Sequence, residues 1–224
     1  AEALWQLGQR IKEVYLKTMG ERDAGILATM VVGDREFLDA ETKRLYQIGG
    51  LSHILAISGL HISVIGMALY RMLKKAGLPF GMAALAAAGV MYGYGGMAGW
   101  GVSVRRAVLM FLLFLGAQVI GRSYDTFCAL AFAAVALLWK NPCLFWDAGF
   151  RFSFVAILGV VWVGQSISYE KKGIGALRGK IFAASAVWFT TLPLVAWYFY
   201  EIPVYAVFVN LLMLPMMGVL LGFG

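Results

Sequence analysis

The sequence predicts an all-α, polytopic membrane bundle of about seven spanning helices preceded by short interfacial ones, and three observations lead there. Of 224 residues, 61% are hydrophobic and 14% charged, whereas soluble domains carry roughly a quarter charged residues. Too few polar side chains remain to cover a water-facing surface. Apolar runs of 17 to 25 residues recur from residue 51 onward, separated by short basic stretches, which is the pattern of helices crossing a hydrocarbon core about 30 Å thick. Charge is also unevenly placed: residues 1–50 hold seven Lys/Arg and eight Asp/Glu, the remainder twelve and four. The apolar part is therefore the basic part, as suits either anionic headgroups or an anionic substrate.

Taken in order, residues 1–20 place Leu4, Leu7, Ile11, Val14 and Met19 at helical spacing, with Arg10, Lys12, Glu13 and Lys17 opposite. This is an amphipathic helix lying on the membrane or on the bundle. A second short helix is expected over 24–32 and a third over 40–48, N-capped by Asp39. None is long and apolar enough to span. Spanning helices are expected at 51–73, 78–97, 104–120, 124–140, 152–169, 181–199 and 203–224. Alternate connections carry eight Lys/Arg (71–79, 121–125, 170–180) against four (98–106, 140–151, 200–203), so the positive-inside rule assigns the first set to the cytoplasm. Residues 1–50 then form an extracytoplasmic segment and 51–224 the membrane domain. The glycine-dense stretch 93–101 suits close helix packing, or else a non-helical turn lining a cavity. The chain begins at Ala1 and stops inside the apolar run MMGVLLGFG, as an excised piece of a longer protein would.

Few residues invite chemistry. Cys128 and Cys143 stand fifteen apart without a CxxC pair, so no metal site is indicated. Polar groups at the start of the first span are unusual: GGLSHILAISGLHIS, residues 49–63, holds Ser52, His53, Ser58, His61 and Ser63. Ser58 and His61, three apart, share a helical face, which invites a serine-nucleophile reading; interhelical hydrogen bonding is the plainer account. Two imidazoles eight residues apart lack the further ligands zinc needs. No GxxxxGK[ST] loop is present, so the chain shows no nucleotide-driven motor of its own.

The ISGLH stretch, Ile57 to His61, preceded by a Gly-Leu-Ser-His segment, resembles the signature that opens the membrane domain of the ComEC family of competence proteins. Further segments match that family in order. RRAVLMFLL (105–113) resembles its Arg-Ala-x-x-Met helix, GRSYDTFCALAFAA (121–134) its Gly-Arg-x-x-Asp turn, and NPCLFWDAGFRFSF (141–154) its Pro…Gly-Phe-x-Leu-Ser-Phe motif. TTLPL (190–194) and VNLLMLPMMG (209–218) also fit. The resemblance covers about 24–224 and marks Gly59, Gly149, Phe150, Ser153, Pro193, Asn210 and Pro215 as motif positions. Arg151 and Phe152 depart from it, so no family role passes to Arg151.

The resemblance implies a channel that carries single-stranded DNA across the bacterial cytoplasmic membrane, working with a DNA receptor, a cytoplasmic motor, and the OB-like and metallo-β-lactamase-like domains of full-length members. It implies no cofactor, and no enzyme activity in this part of the chain. A polyanion crossing a bilayer needs a wet path whose cations offset lost hydration. Arg105, Arg106 and Arg151 are the candidates, with Ser58 and His61 as polar lining and Trp100 as a base-stacking ring. Cations at such depths otherwise snorkel to the interface. Two other readings stay open: a secondary transporter of a small anionic solute, and an intramembrane hydrolase.

Overall fold

In the computed structural model, residues 2–33, 38–48, 59–166, 174–200 and 209 are described. Three short helices come first, α1 (Glu2–Thr18), α2 (Glu21–Val31) and α3 (Ala40–Ile48). Longer ones follow: α4 (Gly59–Lys75), α5 (Phe80–Met97), α6 (Val102–Ile120), α7 (Thr126–Lys140), α8 (Ala148–Ser166) and α9 (Ile174–Phe199), with a 3-10 turn over Pro142–Trp146. The described residues contain no strand. Two of these helices are long and apolar enough to cross a membrane, Val102–Ile120 and Ile181–Phe199, while Thr126–Lys140 and Ala148–Trp162 are shorter apolar helices. The stretches expected to open the first span, 51–58, and to form the last, 203–224, lie outside the described residues, apart from position 209.

Helix ends follow local chemistry. Asp39 caps α3 by accepting the Thr42 amide at 3.2 Å, Asp125 caps α7 through Cys128 N at 2.7 Å, and Asp147 caps α8 through Phe150 N at 2.8 Å. Each carboxylate takes up one of the donors a helix start leaves over. The Asp147 cap starts α8 at Ala148, four residues before the expected 152, so the GFRFSF motif is helical. α9 likewise starts at Ile174 rather than 181. The stretch 93–97 is helical, and the chain breaks only at 98–101, where Gly99 and Trp100 take positive φ of 74° and 53°.

Packing centres on α6, which is apolar on nearly every side and is therefore covered from two directions. On one side Ile62 and Tyr70 of α4, Ala83, Ala87 and Met91 of α5, and Val104, Val108, Phe111 and Leu115 of α6 form one core. On the other, Met110 of α6 meets Ala129, Leu130 and Ala133 of α7 and Phe150 and Phe154 of α8. Gly66 permits the α4–α5–α6 contact: a Cβ there would come within 2.8 Å of Phe111 Cζ and 2.9 Å of Met91 Sδ. The hairpin of α8 and α9 closes in the same way at Gly159, where a Cβ would meet the Ala186 carbonyl at 3.1 Å and collide with the Thr190 side chain. Pro193 sits inside α9 without ending it. Just before it, the hydroxyls of Thr190 and Thr191 donate to the carbonyls of Ala186 and Val187 at 2.8 and 2.6 Å.

One sequence expectation is corrected at α1. Val14 and Met19, assigned to its apolar face, are 57% and 47% exposed, whereas Lys12, assigned to the polar face, is 6% exposed. The glycine decides it. Gly8 lets the α1 backbone approach Val32 and Met97, with a Cβ position 3.0 and 3.5 Å from their side chains, so the stripe through residues 8 and 12 turns inward. Tyr94 of α5 ties the same corner by donating its hydroxyl to the Val31 carbonyl at 2.9 Å. Outward, Leu85 (76%), Trp139 (89%) and Trp197 (75%) are exposed, together with Val135 and Phe189. So broad an apolar exterior is unusual for a protein bathed in water.

Two outcomes test this packing. Gly66→Leu and Gly159→Leu should each destabilise by about 1–3 kcal/mol through overpacking, while Gly81→Ala, with nothing within 4 Å of its Cβ position, should not; thermal unfolding in detergent reads the difference. Hydrogen bonds from Thr42, with the charge of Arg22 helping, hold Asp39 below the ordinary carboxylate value of 3.8. Its cap is therefore complete above that value and is lost as pH falls through the lower folded-state pKa. A pH titration of the Thr42 amide chemical shift should show its midpoint below 3.8.

Candidate functional site

Arg105 and Arg106 open α6, and the helix sends them in different directions. Arg105 is exposed and folds back, its Nε donating to the Trp100 carbonyl at 2.6 Å. That carbonyl is presented by the left-handed turn at Trp100. The indole packs on Gly95, where a Cβ would stand 3.0 Å from the ring, and meets Tyr92 edge-on at 4.8 Å. Arg105 and Trp100 thus form one unit at the end of the bundle where α5 stops and α6 begins.

Arg106 points inward and is 4% exposed. Its Nε donates to Ser153 Oγ of α8 at 2.8 Å, and Nη1 reaches Met110 Sδ, one turn on in α6, at 3.6 Å. The guanidinium lies 5.9 Å from the centroid of the Phe154 ring. Nη2 is 2.6 Å from where a Cβ on Gly59 would stand, so a side chain on the first residue of α4 would push the guanidinium aside. Three of the segments singled out in the sequence therefore meet at one cation: Gly59 of ISGLH, Arg106 with Met110 of RRAVLM, and Ser153 with Phe154 of GFRFSF. Phe150, stacked on Phe154 at 4.2 Å, backs the ring. The Arg-to-Met spacing of four is the helical repeat that puts sulfur beside guanidinium.

Burying a guanidinium costs several kcal/mol even after relaxation. Hydrogen bonds to a charged group return about 1.5–3 kcal/mol each, and a cation over a ring about 0.5–2 kcal/mol. Both acceptors here are uncharged. Beyond residue 41 the chain holds four carboxylates, Asp125, Asp147, Glu170 and Glu201. The first two are engaged as helix caps, and Glu170 and Glu201 lie outside the described residues. Among the described residues, then, Arg106 is a buried cation without a counter-charge.

The other expected site residues fall elsewhere. His61 is fully buried in the first turn of α4, at 1% exposure, and Ser58 lies outside the described residues, as do Asn210 and Pro215. Arg151 is not beside Arg106: its Nε donates to the Phe145 carbonyl at 2.9 Å, and its guanidinium stacks 4.8 Å from the Trp146 ring. Gly149 leaves room for the capping carboxylate, with Asp147 Oδ1 3.0 Å from its Cβ position. Met110 was missed by sequence reasoning as a partner of Arg106, although its spacing was the available signal. Gly159 facing Thr190 carried none, because that pairing joins residues of two different helices.

Compared with known proteins, residues 30–224 match the family model described as Competence protein. The chain belongs to that family. It is 27% identical over 191 residues to ComE operon protein 3 of Bacillus subtilis, covering 85% of this chain and 24% of the relative. To Competence protein ComA of Neisseria gonorrhoeae it is 27% identical over 201 residues, 85% of this chain and 28% of the relative. To Recombination protein 2 of Haemophilus influenzae it is 29% identical over 162 residues, 66% of this chain and 20% of the relative. The chain thus spans about a quarter of the length of these relatives. No solved structure matches it significantly.

A double-mutant cycle tests the junction. Ser153→Ala should destabilise by about 1–3 kcal/mol by stranding the guanidinium, and Arg106→Met should be neutral or stabilising, as when a buried ion is replaced by an apolar side chain of similar size. In the Arg106→Met background Ser153→Ala should then cost little. Unfolding midpoints in detergent check all three.

Proposed function

We propose that this chain is the membrane-embedded conduit of a DNA-uptake protein, passing single-stranded DNA across the bacterial cytoplasmic membrane. Residues 51–224 form the multi-pass channel domain, and residues 1–50 lie on the outer face. The reading rests on family membership and on one observation, the convergence of three family-like segments on the buried Arg106 guanidinium. A guanidinium presents five donors, of which two meet acceptors among the described residues. Among the described residues it is held by neutral groups, which leaves it open to an anion. Successive DNA phosphates would supply one at a time, each leaving as the next arrives, which is the weak, repeated binding that conduction requires.

The two ends of the bundle support a direction. α4, α6 and α8 start, and α5, α7 and α9 end, at the face where α1 and α2 dock against α5 and where Arg105 and Trp100 stand. The positive-inside count makes this the outer face. A strand would meet Arg105 and the Trp100 indole first, then Arg106 where α4, α6 and α8 join, with His61 and Ser58 as polar lining. In this structure the junction at Arg106 is closed, so passage requires α4 or α8 to part from α6. The force comes from other components, and no bond is made or broken in this part of the chain.

Transformation assays on cells carrying the full-length protein test the proposal. Arg106→Gln should lower uptake roughly tenfold or more, equivalent to ~1.4 kcal/mol of lost phosphate stabilisation, and Arg105→Gln and His61→Ala should lower it less, with membrane levels checked by immunoblot. Parental uptake in all three variants would remove these residues from the path.

A further inference from the structure

At the end of the bundle opposite Arg106, α5 and α6 border an open groove of about 400 Å³. It is lined by Gly, Ala, Leu, Val and Ile residues alone, among them Gly81, Ala84 and Ala88 of α5 and Leu112, Gly116 and Ile120 of α6. The small residues make it. No side chain stands within 4 Å of a Cβ position at Gly81 or at Gly116, so the helices leave a furrow where leucines would fill it. From Gly81 to Ala88, and from Leu112 to Ile120, the furrow runs roughly 10–12 Å at 1.5 Å per residue. That is most of the ~15 Å hydrocarbon depth of one leaflet, half the ~30 Å core.

The mouth of the furrow is cationic. Lys74, at the end of α4, holds its Nζ 4.5 Å over the ring of Phe80, the neighbour of Gly81. Arg122 follows two residues after Ile120, its amide bonded to the Ala117 carbonyl at 2.9 Å. Arg71 and Lys75 are exposed on the same last turns of α4. Residues 42–124 contain no carboxylate at all. The nearest in sequence, Asp125, caps α7.

An apolar furrow spanning most of a leaflet, ending beside cations that no described carboxylate is seen to pair, matches the shape and charge of a phospholipid lying along a helix pair. We propose that the α5–α6 groove holds an acyl chain of an anionic phospholipid whose phosphate is met by Lys74 and Arg122. The inference rests on the membrane reading above and is independent of what passes through the bundle. A lipid there would wedge the cytoplasmic ends of α5 and α6 apart and couple the bundle to the charge of the inner leaflet.

The test uses the full-length protein reconstituted in nanodiscs, with spin-labelled phosphatidylglycerol or phosphatidylcholine as the probe and the immobilised fraction as readout. The wild-type protein should hold phosphatidylglycerol roughly tenfold or more in preference to phosphatidylcholine, as two cations near a headgroup would give. Gly116→Leu should abolish the immobilised fraction, whereas Ala86→Leu, on the opposite face of α5, should leave it intact. Lys74→Gln with Arg122→Gln should erase the preference between headgroups while some lipid stays bound. Equal retention of the two lipids by the wild type, or an undiminished fraction in Gly116→Leu, would overturn the proposal. So would a Gly116→Leu protein that changes only its monomer–dimer balance, because the groove would then seat a second copy. Failure to enter nanodiscs at all would instead count against the membrane reading.

Discussion

A guanidinium cannot shed its charge inside a protein, so whatever surrounds Arg106 must supply acceptors or leave space for them. Much of the arrangement follows from that demand. α8 presents the Ser153 hydroxyl, α6 turns Met110 toward it, and α4 begins with a residue that has no side chain. The Phe154 ring of α8, backed by Phe150, lies near the guanidinium. Remove the charge and these choices lose their common reason, since an apolar bundle would fill the same volume with aliphatic and aromatic side chains, as the α4–α5–α6 core does.

Glycines act as the counterpart to that cation elsewhere in the bundle. If the helices sit in hydrocarbon, as the proposed function has it, the hydrophobic effect between them contributes little, and association comes from close packing and interhelical polar contacts. Gly66 seats Met91 and Phe111, Gly159 seats Thr190, and Gly8 brings α1 onto α5. Where glycine faces outward and nothing fills the gap, as at Gly81 and Gly116, the result is a furrow instead of a contact. The same residue type thus makes both close helix joints and the groove between α5 and α6, and only the neighbour across the gap distinguishes them.

The cations sort by location in the same way. Arg105 and Arg151 lie at the ends of helices, bonded to backbone carbonyls and stacked or packed with aromatic side chains, where water can share the cost. Lys74 and Arg122 stand at the other end beside the apolar furrow. Arg106 alone among these is enclosed. Residues 51–224 hold twelve Lys/Arg against four carboxylates, which leaves much of their positive charge to be answered by something else; under the proposed function, nucleic acid answers the enclosed one.

Composition and spacing determined the helical class, the placement of most helices to within a few residues, and the set of motif segments, because hydrophobic run length, capping carboxylates and family-like patterns are all local. Asp39 could be named a cap, and residues 102–120 and 181–199 apolar helices, without coordinates. What only the tertiary structure decided was which residues meet. Arg105 and Arg106 are adjacent in sequence and chemically alike, yet the 100° step of a helix sends one to the surface and the other under α4 and α8. Lys12 turned inward for a related reason: Gly8, with no side chain, outweighed the amphipathic stripe by letting two backbones approach, and a pattern read along one helix contains no information about the helix it will touch.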